Sequence, residues 1–477
     1  MRSIQMASPS SEIASPVEPT SDTSSTSAPS APIYRVFKTR WYILSLFALL
    51  ACFQCQVWNT WGPIEVAVKY GYGWHDSTVA MMANWGTIMF VVMAFPLSYF
   101  LEVRGLRETV ILVSALSAIG TVIRTFSLGA TYFTWSGHIC SILNGISGVT
   151  VMSAPPVISA LWFPPNERAF ATAVAQVGNQ LGSGVAYLLG PYMVPDTGIP
   201  TNETLLMSPL TIDKRMIQRD IEWYMIVTAT IFVAILVLVV LYFPSQPSIP
   251  PSPSAEVPRT NYKSGLISIA QNPNMWLCML AYAIPGGVNS GWAAVMTINF
   301  APVGIDEAET GSIALISVLS CAFVTLGSAY GLDHVRRFLK SCLLTLLTMS
   351  ALFFAWLALL CLQFIPFSKW QIYVSTIGGI SCSFATNPLF FEYAVDLAYP
   401  ISEGLVATFL TAFNNLIGMF FLGVFFIPNI KFTWMNYVLV GSSLISIPLV
   451  LLTKGNFRRM AVDDGTSSID QEGYRIL

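Results

Sequence analysis

Charge is the scarcest commodity in this chain: only 10% of its 477 residues are Asp, Glu, Lys or Arg, whereas 54% are hydrophobic. A soluble globular chain averages roughly 25% charged residues, so this composition excludes an ordinary soluble fold. The 23 basic and 25 acidic residues leave a net charge of −2 and sit in short flanks, with no basic patch to suggest a nucleic-acid partner. Histidine is nearly missing, with three in all, and the eight cysteines fall inside apolar runs. A disulfide framework is therefore not expected, and the CFQC at 52–55 reads as packing thiols rather than a metal or redox pair. HExxH, Walker loop, GxSxG and paired catalytic carboxylates are all lacking. An integral membrane enzyme would place a His/Asp cluster at one membrane surface, and no such cluster exists, so neither an enzyme nor a cofactor or metal is expected.

What the chain has instead is apolar stretches of about 20 residues, each long enough to cross a hydrocarbon core of ~30 Å. Twelve spans are expected, near 41–63, 78–101, 109–127, 133–162, 169–194, 221–243, 274–300, 310–331, 341–365, 370–395, 403–427 and 434–453. Residues 7–32 are mostly Ser, Pro, Thr and Ala, a composition expected to stay disordered, and no signal-peptide pattern opens the chain. The first span is expected to serve as an uncleaved insertion signal. The division is then a cytoplasmic tail at 1–40, a six-helix bundle at 41–243, a Pro/Ser linker at 244–270, a second bundle at 271–453 and a cytoplasmic tail at 454–477. With both termini cytoplasmic, Lys and Arg between spans favour the inner side by two to one.

The halves resemble each other. WFPPNERAFATAVAQVGNQLG (162–182) aligns with AYPISEGLVATFLTAFNNLIG (398–418) at an offset of 236, pairing Pro164 with Pro400, Glu167 with Glu403, Asn179 with Asn415 and Gly182 with Gly418. LEVRGLR (101–107), after span two, has a counterpart in GLDHVRR (331–337), after span eight. Parallel six-helix repeats with a long cytoplasmic linker are the organisation of the major facilitator superfamily, so the expected fold is an all-α polytopic membrane protein of twelve transmembrane helices in two six-helix repeats.

An Asn or Gln facing lipid leaves its amide without partners, so polar residues in mid-span must face protein or water. The candidates are Asn59 and Thr60 in span one, Asn144 in span four, Gln176, Asn179 and Gln180 in span five, Asn289 and Asn299 in span seven, Asn387 in span ten, and Asn414 and Asn415 in span eleven. Each is open to two readings, glue between helices or lining of a transport cavity, and their concentration in spans one, four, five, seven, ten and eleven favours the cavity. QVWNTWGPI at 56–64 puts Trp58 and Trp61 beside Asn59, and span seven puts Trp292 beside Asn289. An aromatic-lined site with a few amides suits a flat or cationic small molecule. Glu392 and Asp396, four apart on one face of span ten near its cytoplasmic end, read as partners of Arg336 or Arg337 in a gate, or alternatively as proton carriers. Glu65 is a second proton candidate on the opposite side, and Arg104 belongs to the loop after span two. Asn202, in NET between spans five and six, is a glycosylation acceptor if that loop is lumenal.

VWNTWGPI in span one, RGLR after span two, ILNGISGVTVMSAPP with NERAFATA across spans four and five, LAYAIPGGVNSGW in span seven and PLFFEYAVDLAYPISEG into span eleven together resemble solute carrier family 49. The resemblance implies a secondary transporter: either a proton-driven lysosomal exporter of a pyridoxine-like vitamin, or a facilitative choline, ethanolamine or haem carrier like the feline leukaemia virus subgroup C receptor proteins. It also implies that Trp58, Gln180 and Asn415 contact the solute, to which the amide and aromatic pattern of the two halves adds Asn59, Asn289 and Trp292. A non-transporting membrane receptor or sensor is the alternative of a different class. The lysosomal branch would carry a dileucine signal in its N-terminal tail, and none is present. The terminal GYRIL supplies a tyrosine-type pattern, Tyr474 with Leu477, for adaptor proteins. The remaining expected partners are the lipid bilayer, the small-molecule substrate and, for an exporter, protons, with the plasma membrane as the other location.

Overall fold

A computed structural model of the protein describes residues 34–465, apart from 127, 196–213, 306, 335, 367, 428–432 and 455–457. Among the described residues the secondary structure is helical, without strands. Each expected span has a helix on it. The first half comprises α1 (Thr39–Trp58), the short α2 (Glu65–Tyr72), α3 (Asp76–Ile123), α4 (Ala130–Ser153), α5 (Pro155–Trp162), α6 (Arg168–Met193) and α7 (Lys214–Leu241). Two small helices follow, α8 (Pro253–Glu256) and α9 (Tyr262–Gln271). Then come α10 (Pro273–Ala294), α11 (Met296–Phe300), α12 (Glu307–His334), α13 (Leu339–Cys361), α14 (Lys369–Ala398), α15 (Glu403–Gly423), α16 (Trp434–Leu452) and the tail helix α17 (Arg458–Asp463).

Helix α3 has 48 residues. At 1.5 Å per residue it would reach roughly 72 Å, more than twice a bilayer core, so it must hold two spans. The break is Gly105, whose φ of 84° only glycine adopts readily, in the middle of LEVRGLR. Arg107 fixes the turn by donating from its backbone N–H to Ser245 Oγ (3.2 Å) and from its guanidinium to the Val240 carbonyl (3.2 Å). Span four is bent by 42° between α4 and α5, where consecutive prolines at 155 and 156 cannot continue the α4 ladder.

Seven helices, or eight counting the bent pair, are long and apolar enough to cross a membrane by length and composition among the described residues. The long helices that miss this test are α6, α10 and α14. They are the ones carrying Gln176, Asn179, Gln180, Asn289, Asn387, Glu392 and Asp396.

Close approach of backbones decides the packing within each half. A Cβ at Gly182 would land on the Cys52 carbonyl oxygen, and one at Gly178 would lie 2.8 Å from the Ala48 carbonyl oxygen, so α6 lies directly against α1. In the second half a Cβ at Gly287 would lie 2.5 Å from the Asn414 carbonyl oxygen, which brings α10 equally close to α15. Small residues at both contacts are the usual device for helices that must touch without a hydrophobic driving force.

The repeat detected in the sequence reappears as two matching clasps. Arg40, just inside α1, is 2.8 Å from Glu167, with its guanidinium carbon 5.2 Å from the Phe163 ring centroid. Arg259, in the segment before α9, is 2.7 Å from Glu403, with its guanidinium carbon 5.2 Å from the Tyr399 ring centroid. Glu167 and Glu403 are the glutamates paired by the 236-residue offset, and so are Phe163 and Tyr399. The 244–270 segment is more than a tether: Ser252 and Ser254 are buried, and α8 and α9 are built into the same end of the molecule.

Candidate functional site

Between the halves lies a cavity, partly open to solvent, whose empty space, counting the open part, is about 800 Å³. Six helices line it. From α6 come Gln176, Asn179 and Gln180; from α10, Tyr282, Gly286, Asn289 and Ser290; from α14, Ser383, Phe384, Asn387 and Phe391; and from α15, Thr411, Asn414 and Asn415. The remaining wall is Val151 and Met152 of α4 with Cys321 and Thr325 of α12. No charged side chain is among the lining residues. The polar groups are amides and hydroxyls, and the aromatic faces are those of Tyr282, Phe384 and Phe391.

Two of the amides are short of partners. Gln176 Oε1 and Asn289 Oδ1 are buried acceptors without a hydrogen bond. A buried acceptor left unmade costs about 1–3 kcal/mol, so both call for a donor from whatever fills the cavity. Others are partly engaged: Asn179 Nδ2 donates to the Ala51 carbonyl (3.1 Å), and Asn415 Nδ2 donates to the Thr411 carbonyl (2.9 Å). Pro285 and Pro388 stand inside the helices next to the lining residues. Each removes a backbone N–H from the ladder, frees the carbonyl four residues earlier and allows the helix to bend.

Of the residues expected to bind solute, Gln180, Asn289 and Asn415 line this cavity and Trp58, Asn59 and Trp292 do not. The Trp58 ring lies over Gly86 of α3, where no side chain would fit beneath it, and a Cβ at Gly148 of α4 would be 3.0 Å from it. Trp58 thus wedges α1 against α3 and α4. Asn59 Nδ2 donates to the Cys55 carbonyl (2.9 Å) and to Ser183 Oγ (3.3 Å), tying the end of α1 to α6. Trp292 is fully buried against Phe300 and Phe354. The other amides away from the cavity are glue: Asn144 Nδ2 donates to the Gln54 carbonyl (3.1 Å), and Asn299 and Asn436 exchange reciprocal bonds of 3.1 Å. Thr60 Oγ1 donates back to the Gln56 carbonyl (3.1 Å).

At the linker end the halves are latched. Arg168, at the start of α6 and 1% exposed, donates to Asp463 Oδ2 (2.8 Å), Ser252 Oγ (2.5 Å) and Ser254 Oγ (3.0 Å). Asp333 of α12 accepts from the backbone N–H groups of Ala169 (3.1 Å) and Phe170 (2.8 Å), a carboxylate on the positive end of α6. Glu392 is 3.3 Å from Arg459, and Asp396 accepts from the Met460 N–H at 3.2 Å. The expected partner of Glu392 in the loop after span eight is therefore corrected: its arginine comes from α17. Arg337 is exposed, and the Arg336 side chain lies outside the described residues. Burial alone would push the Asp463 carboxyl up, but the Arg168 guanidinium, with the hydroxyl and N–H of Ser254, outweighs it and holds the group below the usual aspartate value.

The other charged candidates lie apart from both places. Glu65 pairs with Lys69 one turn along α2, and Arg104 with Glu108 at 3.8 Å on an exposed face. Asn202, Tyr474 and Leu477 lie outside the described residues. Sequence reasoning missed the aromatic lining from Tyr282, Phe384 and Phe391 and the latch from α17. The lining had a signal: 383, 387 and 391 in α14, and 282, 286, 289 and 290 in α10, recur at helical spacing on one face.

A family model described as Major Facilitator Superfamily matches residues 46–423. The solute carrier family 49 member 4 homolog of Xenopus tropicalis is 33% identical over 436 residues, covering 90% of this chain and 93% of that protein. The chain belongs to solute carrier family 49. The mouse choline/ethanolamine transporter FLVCR1 is also similar, 27% identical over 455 residues, which is 91% of this chain and 78% of that protein. Among solved structures, the fucose:proton symporter FucP of E. coli superposes with a TM-score of 0.66 at 12% identity, covering 88% of this chain and all of that one. The xylose symporter XylE gives 0.65 at 11%, covering 89% of this chain and 99% of that one. These likenesses carry the fold. As a solute carrier of the major facilitator superfamily the chain is a membrane transporter and not an enzyme.

Proposed function

We propose that this family 49 carrier moves a flat, hydroxyl-bearing organic solute of the pyridoxine kind across the lysosomal membrane by alternating access. The observation that carries the reading is the cavity itself: uncharged, amide-rich, with aromatic faces and two acceptors, Gln176 Oε1 and Asn289 Oδ1, awaiting donors. A pyridine ring with several hydroxyls supplies those donors and a face to stack on Phe384, Phe391 or Tyr282. A haem would bring two carboxylates into a site lined by no Arg, Lys or His, which argues against it. Choline or ethanolamine is the second reading, favoured by the same aromatic faces, which attract a cation, and by the mouse relative's name. The bodies that rock are the bundles at 41–243 and 271–453, with Glu392 acting as a gate residue through Arg459 and Asp396 as its neighbour in the latch. The lysosomal address rests on Tyr474 and Leu477, and the lumenal side of the loop between α6 and α7 on glycosylation of Asn202.

The deciding experiment is uptake into proteoliposomes of labelled pyridoxine, choline, ethanolamine and haem at two pH values. Saturable pyridoxine flux, inhibited weakly by choline, supports the first reading. Choline flux that pyridoxine does not inhibit replaces it with the second, and no flux of any solute leaves the sensor reading. A flux that rises with an imposed proton gradient supports proton coupling; one indifferent to it makes the carrier facilitative.

A further inference from the structure

Among the described residues, one buried cation of the first half has no carboxylate paired with it. Arg124, which caps the C-terminal end of α3 away from the linker, is 1% exposed, and its Nε, Nη1 and Nη2 are all buried without a hydrogen bond. Its guanidinium carbon is 5.6 Å from the centroid of Trp61, the second tryptophan of QVWNTWGPI. Tyr224 of α7 belongs to the same buried cluster as Trp61, and Cys140 of α4 packs against Gly120, one turn before Arg124. The Tyr224 hydroxyl is bound by Gln56 Nε2 at 2.7 Å.

An arginine cannot shed its proton to escape burial. Burying one ion of this size costs several kcal/mol even after relaxation. A desolvated cation–π contact returns about 2 kcal/mol and a helix C-terminus at most about as much, so neither one offsets the cost of the charge and five unmade N–H bonds. Among the described residues no ion pair or hydrogen bond reaches the Arg124 guanidinium, and Glu65 of the neighbouring α2 is bound to Lys69. A second orphan donor lies beside Arg124, the Trp61 indole N–H, which is also buried without a partner. Water would satisfy hydrogen bonds but leave the positive charge uncompensated. Helices α3 and α4 are close-packed beside it: a Cβ at Gly120, one turn before Arg124, would be 3.2 Å from Cys140 Cα, which disfavours a bulky occupant.

We propose that Arg124 and Trp61 form a binding site for a small monovalent inorganic anion of the chloride class, buried where α1 ends and packed by α3, α4 and α7. The ion neutralises Arg124, accepts from the indole N–H and fixes the break between α1 and α2. It is separate from the solute cavity, which no residue of α1 or α3 lines, so it stands whether or not the solute is a vitamin.

The test is thermal unfolding of the purified full-length protein in detergent, titrated from sodium isethionate into sodium chloride or bromide at constant ionic strength. Wild type should gain melting temperature saturably with either halide. Arg124→Met should melt at one temperature across the titration. Should Arg124→Met fail to fold, Trp61→Phe keeps the ring and loses the N–H. It should then raise the half-saturating chloride concentration roughly ten- to a hundredfold, the loss of one hydrogen bond to a charged group. A wild-type melting temperature that ignores the anion, or a halide response kept unchanged in Arg124→Met or Trp61→Phe, overturns the site and leaves water as its occupant.

Discussion

At the scale of single residues, Trp58 and Gln180 look alike in the sequence, both being unusual in an apolar span, and the fold gives them different work. Trp58 fills the space between α1, α3 and α4 over Gly86 and Gly148. Truncating it to Ala should lower thermal stability by about 3 kcal/mol, near the low end for a large aromatic because the ring keeps some exposure. Solute affinity of the folded fraction should stay close to wild type. Unfolding curves and uptake on matched samples check this; a stable Trp58→Ala protein with weakened uptake would return Trp58 to the site. Asn289→Ala removes one of the two unpartnered acceptors. It should raise the transport KM about five- to tenfold, equivalent to ~1 kcal/mol or slightly more, with little change in melting temperature. The contrast explains what the sequence can reveal at this scale. Rarity of a polar or aromatic residue in a span is readable, but its direction is not, because direction depends on which glycine faces it. Gln54 and Gln56, both fully buried between helices, carry the same ambiguity.

At the scale of elements, α17 is six residues long and yet holds four partners: Arg168 from the first half, Glu392 and Asp396 from the second, and the Ser254 backbone N–H from the linker. Removing it, or substituting Arg168→Ala, should favour opening at the linker end, because the state in which these pairs exist loses stability relative to the one in which they do not. Cysteine pairs reporting the distance between α6 and α12 at that end would read the shift, and an unchanged distance distribution would leave α17 without a gating role. The pH behaviour follows from the sign of the Asp463 shift. Its carboxyl titrates below the ordinary aspartate value of ~3.9, so its stabilising contribution is complete above that value and is lost only as pH falls below it, through the depressed one. Asp463→Asn should therefore have the same effect on flux at pH 5 as at pH 7.4. A defect confined to the higher pH would contradict the pairing. The latch was the least legible element, since Arg168 and Asp463 lie 295 residues apart and nothing local announces the contact. The spans, by contrast, were legible in place and order, with ends off by about seven residues at most, as at the start of α7, because hydropathy and Pro/Gly breaks act locally, as at Gly105 and Pro155.

At the scale of the whole molecule, the repeat sets two clasps of one design but unequal strength. Arg259 grips Glu403 with two bonds, 3.1 and 2.7 Å, around a carboxylate only 7% exposed, while the side chain of Glu167 is 33% exposed to solvent. Breaking a buried pair typically costs about 3–5 kcal/mol, an exposed one about 1 or less. Glu403→Gln should consequently lower the melting temperature several times more than Glu167→Gln; equal losses would mean that the symmetry of the contacts extends to their energies. The cavity between the halves has a consequence for how the chain is made. Helices α6, α10 and α14 carry so many amides and carboxylates that they fall short of the apolarity of their neighbours. A nascent chain leaving the ribosome cannot partition such segments into lipid one at a time without stranding their side chains in hydrocarbon. In the folded chain each is sheltered by a neighbour, α6 by α1, α10 by α15 and α14 by α12 and α13. The residues that make the solute path are thus the same ones that leave these three segments least suited to enter lipid alone.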